Sequence, residues 1–293
     1  MLSEDLLKKV KRIEIISKKI SREVFAGTYH SNFKGRGMEF ASVREYCPGD
    51  DVRSIDWNVS SRTGRLHVKQ YVEERELTMI LALDLSASMF FFSQENTKRE
   101  LMAEISAIMA FAANINNDKV GLLLFSDQIE RYVPPRKGRQ HILRIIRDIL
   151  EYTPTGRKTS IESGLVYLSK VLKKRAIVVL CSDFLDEGYE RALAVTGKKH
   201  DLILMRYTDP RERSLPKAGL FRLQDSETGR TVYLDLHNRN SRDLFARTRQ
   251  RRDSRLGELV RRYRIDELEF TVGSDYERKL IGFFAERRKR LRR

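Results

Sequence analysis

Two runs of apolar residues in this chain each lead directly into an aspartate. Residues 79–83 are followed by Asp84, and residues 176–181 are followed by Ser182 and Asp183. Continuous apolar runs of this kind are typical of parallel strands that are covered on both faces. The carboxyl ends of parallel strands meet at one edge of a sheet, where ligands bind. The sequence therefore predicts an α/β fold with polar side chains gathered at that edge.

From residue 76 onward, segments with strand character alternate with amphipathic helical segments. Strands are predicted over residues 78–84, 120–125, 129–133, 176–182 and 202–207, and helices over residues 98–116, 139–151, 161–173 and 188–198. This alternation predicts a mostly parallel, Rossmann-type sheet with helices on both faces. Pro134 and Pro135 follow the third strand, which predicts an edge position because proline cannot donate a hydrogen bond to a neighbouring strand.

Three regions are expected along the chain. Apolar residues at three- and four-residue steps predict an amphipathic helix over residues 1–21. Glycines and a Pro-Gly-Asp turn divide residues 22–75 into short stretches, which predicts a small β-rich segment. Residues 76–293 form the α/β domain, with a hairpin insertion near residues 215–237 and a basic helical end. Its last residues, 287–293, are expected to fray.

The chain is strongly basic, with 57 Lys and Arg against 41 Asp and Glu and a net charge of +16. The excess is concentrated in residues 242–293, which carry 17 basic and 9 acidic side chains. Such a surplus favours anionic partners. One alternative is therefore nucleic-acid binding through the arginines of a helix predicted over residues 241–262. The other is a solvated helical exterior, since few aromatic residues for base stacking lie between these arginines.

Two cysteines and five scattered histidines provide neither a disulfide framework nor the spacing of a zinc site. A membrane span needs about 20 consecutive apolar residues. The longest apolar stretch, residues 77–92, is interrupted by Asp84, and the first five residues do not resemble a secretion signal. A cytoplasmic location is expected from these features.

Hydroxyl and carboxylate side chains cluster around the predicted strand ends. Asp84, Ser86 and Ser88 alternate along the chain, so an extended loop would point them the same way. With Thr159 and Asp183 they could supply oxygen ligands to a divalent cation such as Mg²⁺. Structural alternatives exist for each residue. Aspartates and serines often stabilise turns, and Thr159 with Glu162 could form a helix capping box.

Enzyme motifs are missing from the sequence. Residues 156–159 lack the glycine that precedes the lysine of a phosphate-binding P-loop. There is no Gly-x-Ser-x-Gly nucleophile elbow and no glycine-rich dinucleotide turn after the first strand. We therefore expect a protein that is not an enzyme, with a divalent-dependent hydrolase as the remaining catalytic alternative.

The set Asp84, Ser86, Ser88, Thr159 and Asp183 resembles the metal-ion-dependent adhesion site of von Willebrand factor A domains. Residues 35–40 and 44–57 resemble the signature of the bacterial family called domain of unknown function 58. The resemblance implies a von Willebrand factor A-like fold and a bound Mg²⁺, with Mn²⁺ or Ca²⁺ as alternatives. It also implies a protein-interaction role, in which a partner's Asp or Glu binds the metal. Family members are thought to be adaptors for MoxR-type AAA+ ATPases in chaperone-like or metal-insertion systems.

Overall fold

The computed structural model of the protein describes residues 38–73, 77–91, 96–213 and 215–291, together with Ile13, Ile15, Ser17 and Ser93. These residues fall into two compact units, one of residues 38–73 and one of residues 77–291 together with Ile13, Ile15 and Ser17. The helix predicted over residues 1–21 lies outside the described residues except at Ile13, Ile15 and Ser17, which are helical.

The smaller unit is built on two antiparallel strands, β1 (Met38–Glu45) and β2 (His67–Glu73). The segment between them contains a 3₁₀ turn, Val52–Ser54, and a helix, α1 (Trp57–Thr63). The sequence predicts only short strands and turns in this region, so the expectation misses the helix.

The ends of α1 explain why it forms. The side chain of Asp56 accepts hydrogen bonds from the backbone N–H groups of Asn58 and Val59, which caps the first turn. Gly64 ends the helix in the left-handed conformation, with φ of 70°. Aspartate before the helix and glycine after it are sequence signals that could have identified α1.

The larger unit contains a six-stranded sheet. Its strands are β3 (Thr78–Asp84), β4 (Lys119–Phe125), β5 (Ile129–Arg136), β6 (Ile177–Ser182), β7 (Asp201–Thr208) and β10 (Asp266–Thr271). Their spatial order is β10-β7-β6-β3-β4-β5, and every pairing is parallel except the antiparallel pairing of β4 with β5. The proline-containing strand β5 lies at the edge, as predicted. The fold class predicted from the sequence is confirmed.

Helices cover both faces of this sheet. They are α2 (Lys98–Ile115), α3 (Arg139–Glu151), α4 (Ile161–Val171), α5 (Glu190–Lys199), α6 (Pro210–Arg213), α7 (Arg239–Tyr263) and α8 (Tyr276–Leu291). Successive strand residues point to opposite faces. Val178 and Leu180 of β6 therefore pack in the same cluster as Leu165 of α4, whereas Cys181 lies beside Ser106 of α2.

The central strands are buried, except for the part-buried first residues Thr78 of β3 and Lys119 of β4, because helices lie over both faces. Leu81 in β3, Leu123 in β4 and Val179 in β6 are each 0% exposed. Burying apolar surface contributes about 25 cal/mol per Å² to stability. The well-packed centre of the sheet therefore holds the strand ends in place, and with them the starting points of the loops at the carboxyl edge.

Two further features follow β7. Strands β8 (Leu220–Gln224) and β9 (Thr231–Asp235) pair antiparallel and form the predicted hairpin, here called the hairpin (residues 220–235). The basic end is helical as far as Leu291, and Arg287 is buried against Asp201 and Asp266. Fraying predicted from Arg287 onward is therefore wrong up to Leu291, because buried ion pairs hold the last helix in place; residues 292–293 lie outside the described part of the chain.

Candidate metal centre

The ends of strands β3 and β6 meet at the carboxyl edge of the sheet. The strands are adjacent and parallel, with Leu83 opposite Cys181. The hydroxyl of Ser182 donates a 2.6 Å hydrogen bond to Oδ2 of Asp84. Asp84 and Asp183 are both buried, at 0% and 1% exposed. The two aspartates that the sequence places after apolar runs are thus brought to one site.

The loop after β3 adds two predicted residues to this site. The backbone N–H of Ser86 donates to Oδ1 of Asp84 at 2.8 Å, and the hydroxyls of Ser86 and Ser88 lie 3.1 Å apart. Ser88 belongs to a short 3₁₀ turn, Ala87–Phe90, which Ser86 precedes. Both serines are buried. A continuous hydrogen-bonded path therefore joins Asp84, Ser86 and Ser88.

Burial makes the negative charge of Asp84 costly. It raises the pKa of the Asp84 carboxyl well above its usual range, and the charge of Asp183 raises it further. Hydrogen bonds from Ser182 and Ser86 oppose this effect without cancelling it. Two buried carboxylates repel each other unless a cation compensates them. The electrostatics of this pair therefore fit a bound cation.

A buried lysine that was not among the predicted site residues forms an ion pair with one of these carboxylates. Nζ of Lys98 lies 2.7 Å from Oδ2 of Asp183 and 2.5 Å from Oε1 of Glu212. Lys98 is 0% exposed. Burial alone would lower the pKa of Lys98, but the carboxylates of Asp183 and Glu212 outweigh it and raise that pKa. Lys98 is the first residue of α2, where a positive charge interacts unfavourably with the helix dipole. A lysine at this position is the sequence feature that could have indicated a buried acidic partner.

Thr159 precedes α4 and does not cap it. The cap is Ser160, whose hydroxyl oxygen accepts from the backbone N–H of Ser163 at 3.2 Å. The alternative of a capping box formed by Thr159 and Glu162 is therefore wrong. The hydroxyl of Thr159 instead donates a 2.6 Å hydrogen bond to Oε1 of Glu227, a hairpin residue that the sequence analysis also missed.

Glu130 holds the loop that leads to Thr159. Its carboxylate accepts hydrogen bonds from Ser126 Oγ at 2.7 Å, Gly156 N at 2.8 Å and Thr155 Oγ1 at 2.9 Å. Burial would raise the pKa of Glu130, but these hydrogen bonds outweigh it and lower the pKa to about 2. The carboxylate is thus an ionised anchor for residues 155–156.

The loops carrying the five predicted residues are tied to one another. The N–H of Ala87, between Ser86 and Ser88, donates to the carbonyl of Arg157 at 2.8 Å, two residues before Thr159. Over the described ranges, no group of three or more His, Cys, Asp and Glu side chains could hold a metal ion. The predicted set has only two such residues, and its other members are hydroxyls. Its donors are all oxygens, which suits a hard divalent cation.

The basic helix α7 uses some of its arginines inside the fold. Arg249 lies 3.3 Å from Asp253, and Arg255 forms an ion pair with Glu190. These pairs reduce the positive charge that the helix offers to phosphate groups. Nucleic-acid binding through the other arginines of α7 stays a prediction.

Residues 42–255 match the family described as protein of unknown function DUF58. The uncharacterised protein Rv1480 of Mycobacterium tuberculosis is 29% identical over 283 residues, which cover 96% of this chain and 89% of Rv1480. A crystal structure of an aerotolerance-related membrane protein of Bacteroides fragilis, with multiple mutations to serines, matches with a TM-score of 0.50 at 13% identity. This match covers 73% of the present chain and 99% of the other.

The SpRpn10 von Willebrand factor A domain is also similar, with a TM-score of 0.32 at 18% identity over 45% of this chain and 75% of that domain. None of the helices in the described part of the chain has the length and apolar character needed to cross a membrane.

Proposed function

The chain belongs to the DUF58 family and has a von Willebrand factor A-like fold, and from that premise we propose that it is a divalent-metal-dependent protein-interaction module. The observation that carries the proposal is the pair of buried carboxylates, Asp84 and Asp183, at neighbouring strand ends. The hydroxyls of Ser86 and Ser88 lie on the loop directly after the first of them.

The donor set determines what the centre would do. Ser86, Ser88 and Thr159 would bind Mg²⁺ directly, with Mn²⁺ or Ca²⁺ as alternatives, while Asp84 and Asp183 would hold its water ligands. Magnesium favours six oxygen ligands and keeps several waters. Because the direct protein ligands are neutral, the ion retains much of its charge. That charge would attract an Asp or Glu side chain from a partner protein.

One carboxylate contact is too small to provide a stable complex, so the surrounding surface must supply most of the affinity. The partner proposed on the family resemblance is a MoxR-type AAA+ ATPase or its client. The chain would then be an adaptor in chaperone-like or metal-insertion work. A non-enzymatic role and a cytoplasmic location stay predictions.

A pull-down with a purified MoxR-type ATPase from the same genome tests the proposal. We expect capture in Mg²⁺, loss of capture in a chelator, and loss with Asp84→Asn. The matched control is Asp118→Asn, because Asp118 is also buried and accepts the N–H of Leu77 at 3.1 Å, but at the amino edge of the sheet. Equal capture with and without chelator would contradict metal dependence, and no capture in Mg²⁺ would reject this ATPase as the partner.

A further inference from the structure

The tip of the hairpin brings a carboxylate to one of the proposed metal ligands. Oε1 of Glu227 accepts the 2.6 Å hydrogen bond from the hydroxyl of Thr159, and Thr159 is part-buried there. We propose that Glu227 is an internal acidic ligand that occupies the position of the partner's acid, so that the hairpin closes the metal centre until a partner displaces it. This inference rests on the proposed function and concerns the regulation of that site.

Oxygen separations support the assignment. Two oxygens bound to Mg²⁺ at about 2.1 Å in adjacent octahedral positions lie about 3 Å apart. The Thr159 and Glu227 oxygens are 2.6 Å apart. A shift of a few tenths of an ångström would therefore let both oxygens bind the same ion, with the Thr159 hydroxyl keeping its proton and turning it away from Glu227.

The turn at the hairpin tip fixes the position of Glu227. Oδ1 of Asp225 accepts hydrogen bonds from the backbone N–H groups of Glu227 at 2.9 Å and Thr228 at 2.8 Å. Gly229 closes the turn in the left-handed conformation, with φ of 71°. The carboxylate of Glu227 is thus presented by an ordered turn, which lowers the entropic cost of placing it at the centre.

The body of the hairpin is loosely packed by contrast. Leu220, Val232 and Tyr233 are 71%, 59% and 65% exposed. A cavity of about 830 Å³ lies beneath the hairpin, with Ser88 of the proposed centre and Leu223 of β8 in its lining. Elements with few buried apolar contacts open at low free-energy cost. The hairpin could therefore leave the centre without disturbing the core of the sheet.

The need to displace Glu227 would restrict which partners can bind. An incoming segment must present a carboxylate, because it replaces one at Thr159. It must also provide enough additional contact to compete with an acid that belongs to the same chain and has a high effective concentration. A free carboxylate in solution would compete poorly with Glu227 for this reason.

Calorimetry and hydrogen–deuterium exchange with Mn²⁺ alone test this role on the full chain. In the wild type we expect Mn²⁺ to slow exchange over residues 220–235. In Glu227→Gln we expect Mn²⁺ affinity to fall about 10-fold, which corresponds to about 1.4 kcal/mol, and the slowing to disappear. Glu187→Gln is the matched control, because Glu187 lines the same cavity and is exposed; it should behave as the wild type does.

The outcomes separate this inference from the proposed function. Mn²⁺ binding by Glu227→Gln that equals or exceeds that of the wild type would overturn the role of Glu227, and so would equal slowing of hairpin exchange in the wild type and Glu227→Gln. Neither result would contradict the metal centre itself. Absence of Mn²⁺ binding by the folded wild type would overturn both.

Discussion

The ammonium nitrogen of Lys98 lies 2.7 Å from Oδ2 of Asp183, and both side chains are completely buried. A fixed positive charge therefore stands beside the proposed metal centre. It provides Asp183 with a counter-ion whether or not a metal is bound. Asp84 is bonded instead to neutral groups, Ser182 and the backbone of Ser86. We infer that Asp84 depends more strongly on a metal cation than Asp183 does.

Replacing Lys98 tests the structural part of this arrangement. Lys98→Met would leave Asp183 and Glu212 buried or part-buried without their shared cation. Breaking a buried pair by removing one partner costs about 3–5 kcal/mol. Denaturant unfolding should show a loss of this size, whereas Lys170→Met, at an exposed site near the end of α4, should change stability by less than about 0.5 kcal/mol. Equal effects of the two substitutions would contradict the buried ion pair.

The C-terminal helix offers a similar comparison. Arg287 is buried and pairs with Asp201 and Asp266, whereas Arg290 pairs with Asp266 alone and its side chain is 61% exposed. Arg287→Ala should cost about 3 kcal/mol because it leaves two acids without their main partner. Arg290→Ala should cost less than about 1 kcal/mol. Thermal unfolding of both variants measures the difference, and a larger loss for Arg290→Ala would refute the assigned anchor.

The main sheet could be predicted because its signals are local. Apolar runs as short as residues 79–83 and 176–181 are typical of strands that are covered on both faces, and the Pro134-Pro135 pair restricts its strand to an edge. Helix α1 was missed because its sequence is not periodically apolar, and its evidence lies only in the caps at Asp56 and Gly64. The fraying expected from Arg287 overlooked ion pairs with residues far away in the sequence.

His200 predicts a pH dependence of stability. It is 1% exposed, and its Nδ1 accepts the N–H of Ala176 at 3.3 Å, which requires an unprotonated nitrogen. Burial, followed by the charges of Lys199 and Arg175, lowers the pKa of His200 from 6.5 to about 4. As pH falls through this interval, the unfolded chain takes up the proton before the folded one does.

The free energy of unfolding should therefore decrease as the pH falls from 6.5 to 4. From pH 7 to pH 4.5 we expect the wild type to lose about 2 kcal/mol more than His200→Gln, whose amide oxygen can still accept from Ala176. Urea unfolding across the pH range measures both proteins. Parallel pH profiles for the two would show that His200 does not titrate in this way.

Glu130 should act on the metal centre through the loop that it anchors. In Glu130→Gln an NH₂ group replaces one of the two carboxylate oxygens. Either the N–H of Gly156 or the hydroxyl of Thr155 then loses the oxygen that accepts its hydrogen bond. The loop carrying Thr159 should loosen, and Mn²⁺ affinity should fall about 10-fold. Glu151→Gln, at an exposed position in the last turn of α3, is the control. Unchanged Mn²⁺ affinity in a folded Glu130→Gln protein would separate Glu130 from the centre.

The site was only partly accessible from the sequence. Asp84, Ser86 and Ser88 lie within five residues, so their proximity follows from local geometry. Lys98 and Glu227 reach the site from distant elements, and no spacing in the sequence links them to Asp183 or Thr159. Such pairings depend on how α2 and the hairpin pack, which is a tertiary property.

Calorimetric titration with Mg²⁺ and Mn²⁺ tests the central claim most directly. The account predicts saturable binding of one ion by the wild type and by Asp118→Asn, and no binding by Asp84→Asn, with all three proteins folded by circular dichroism. Identical titration curves for the wild type and Asp84→Asn, or no binding by a folded wild type, would contradict a metal centre at the carboxyl edge of this sheet.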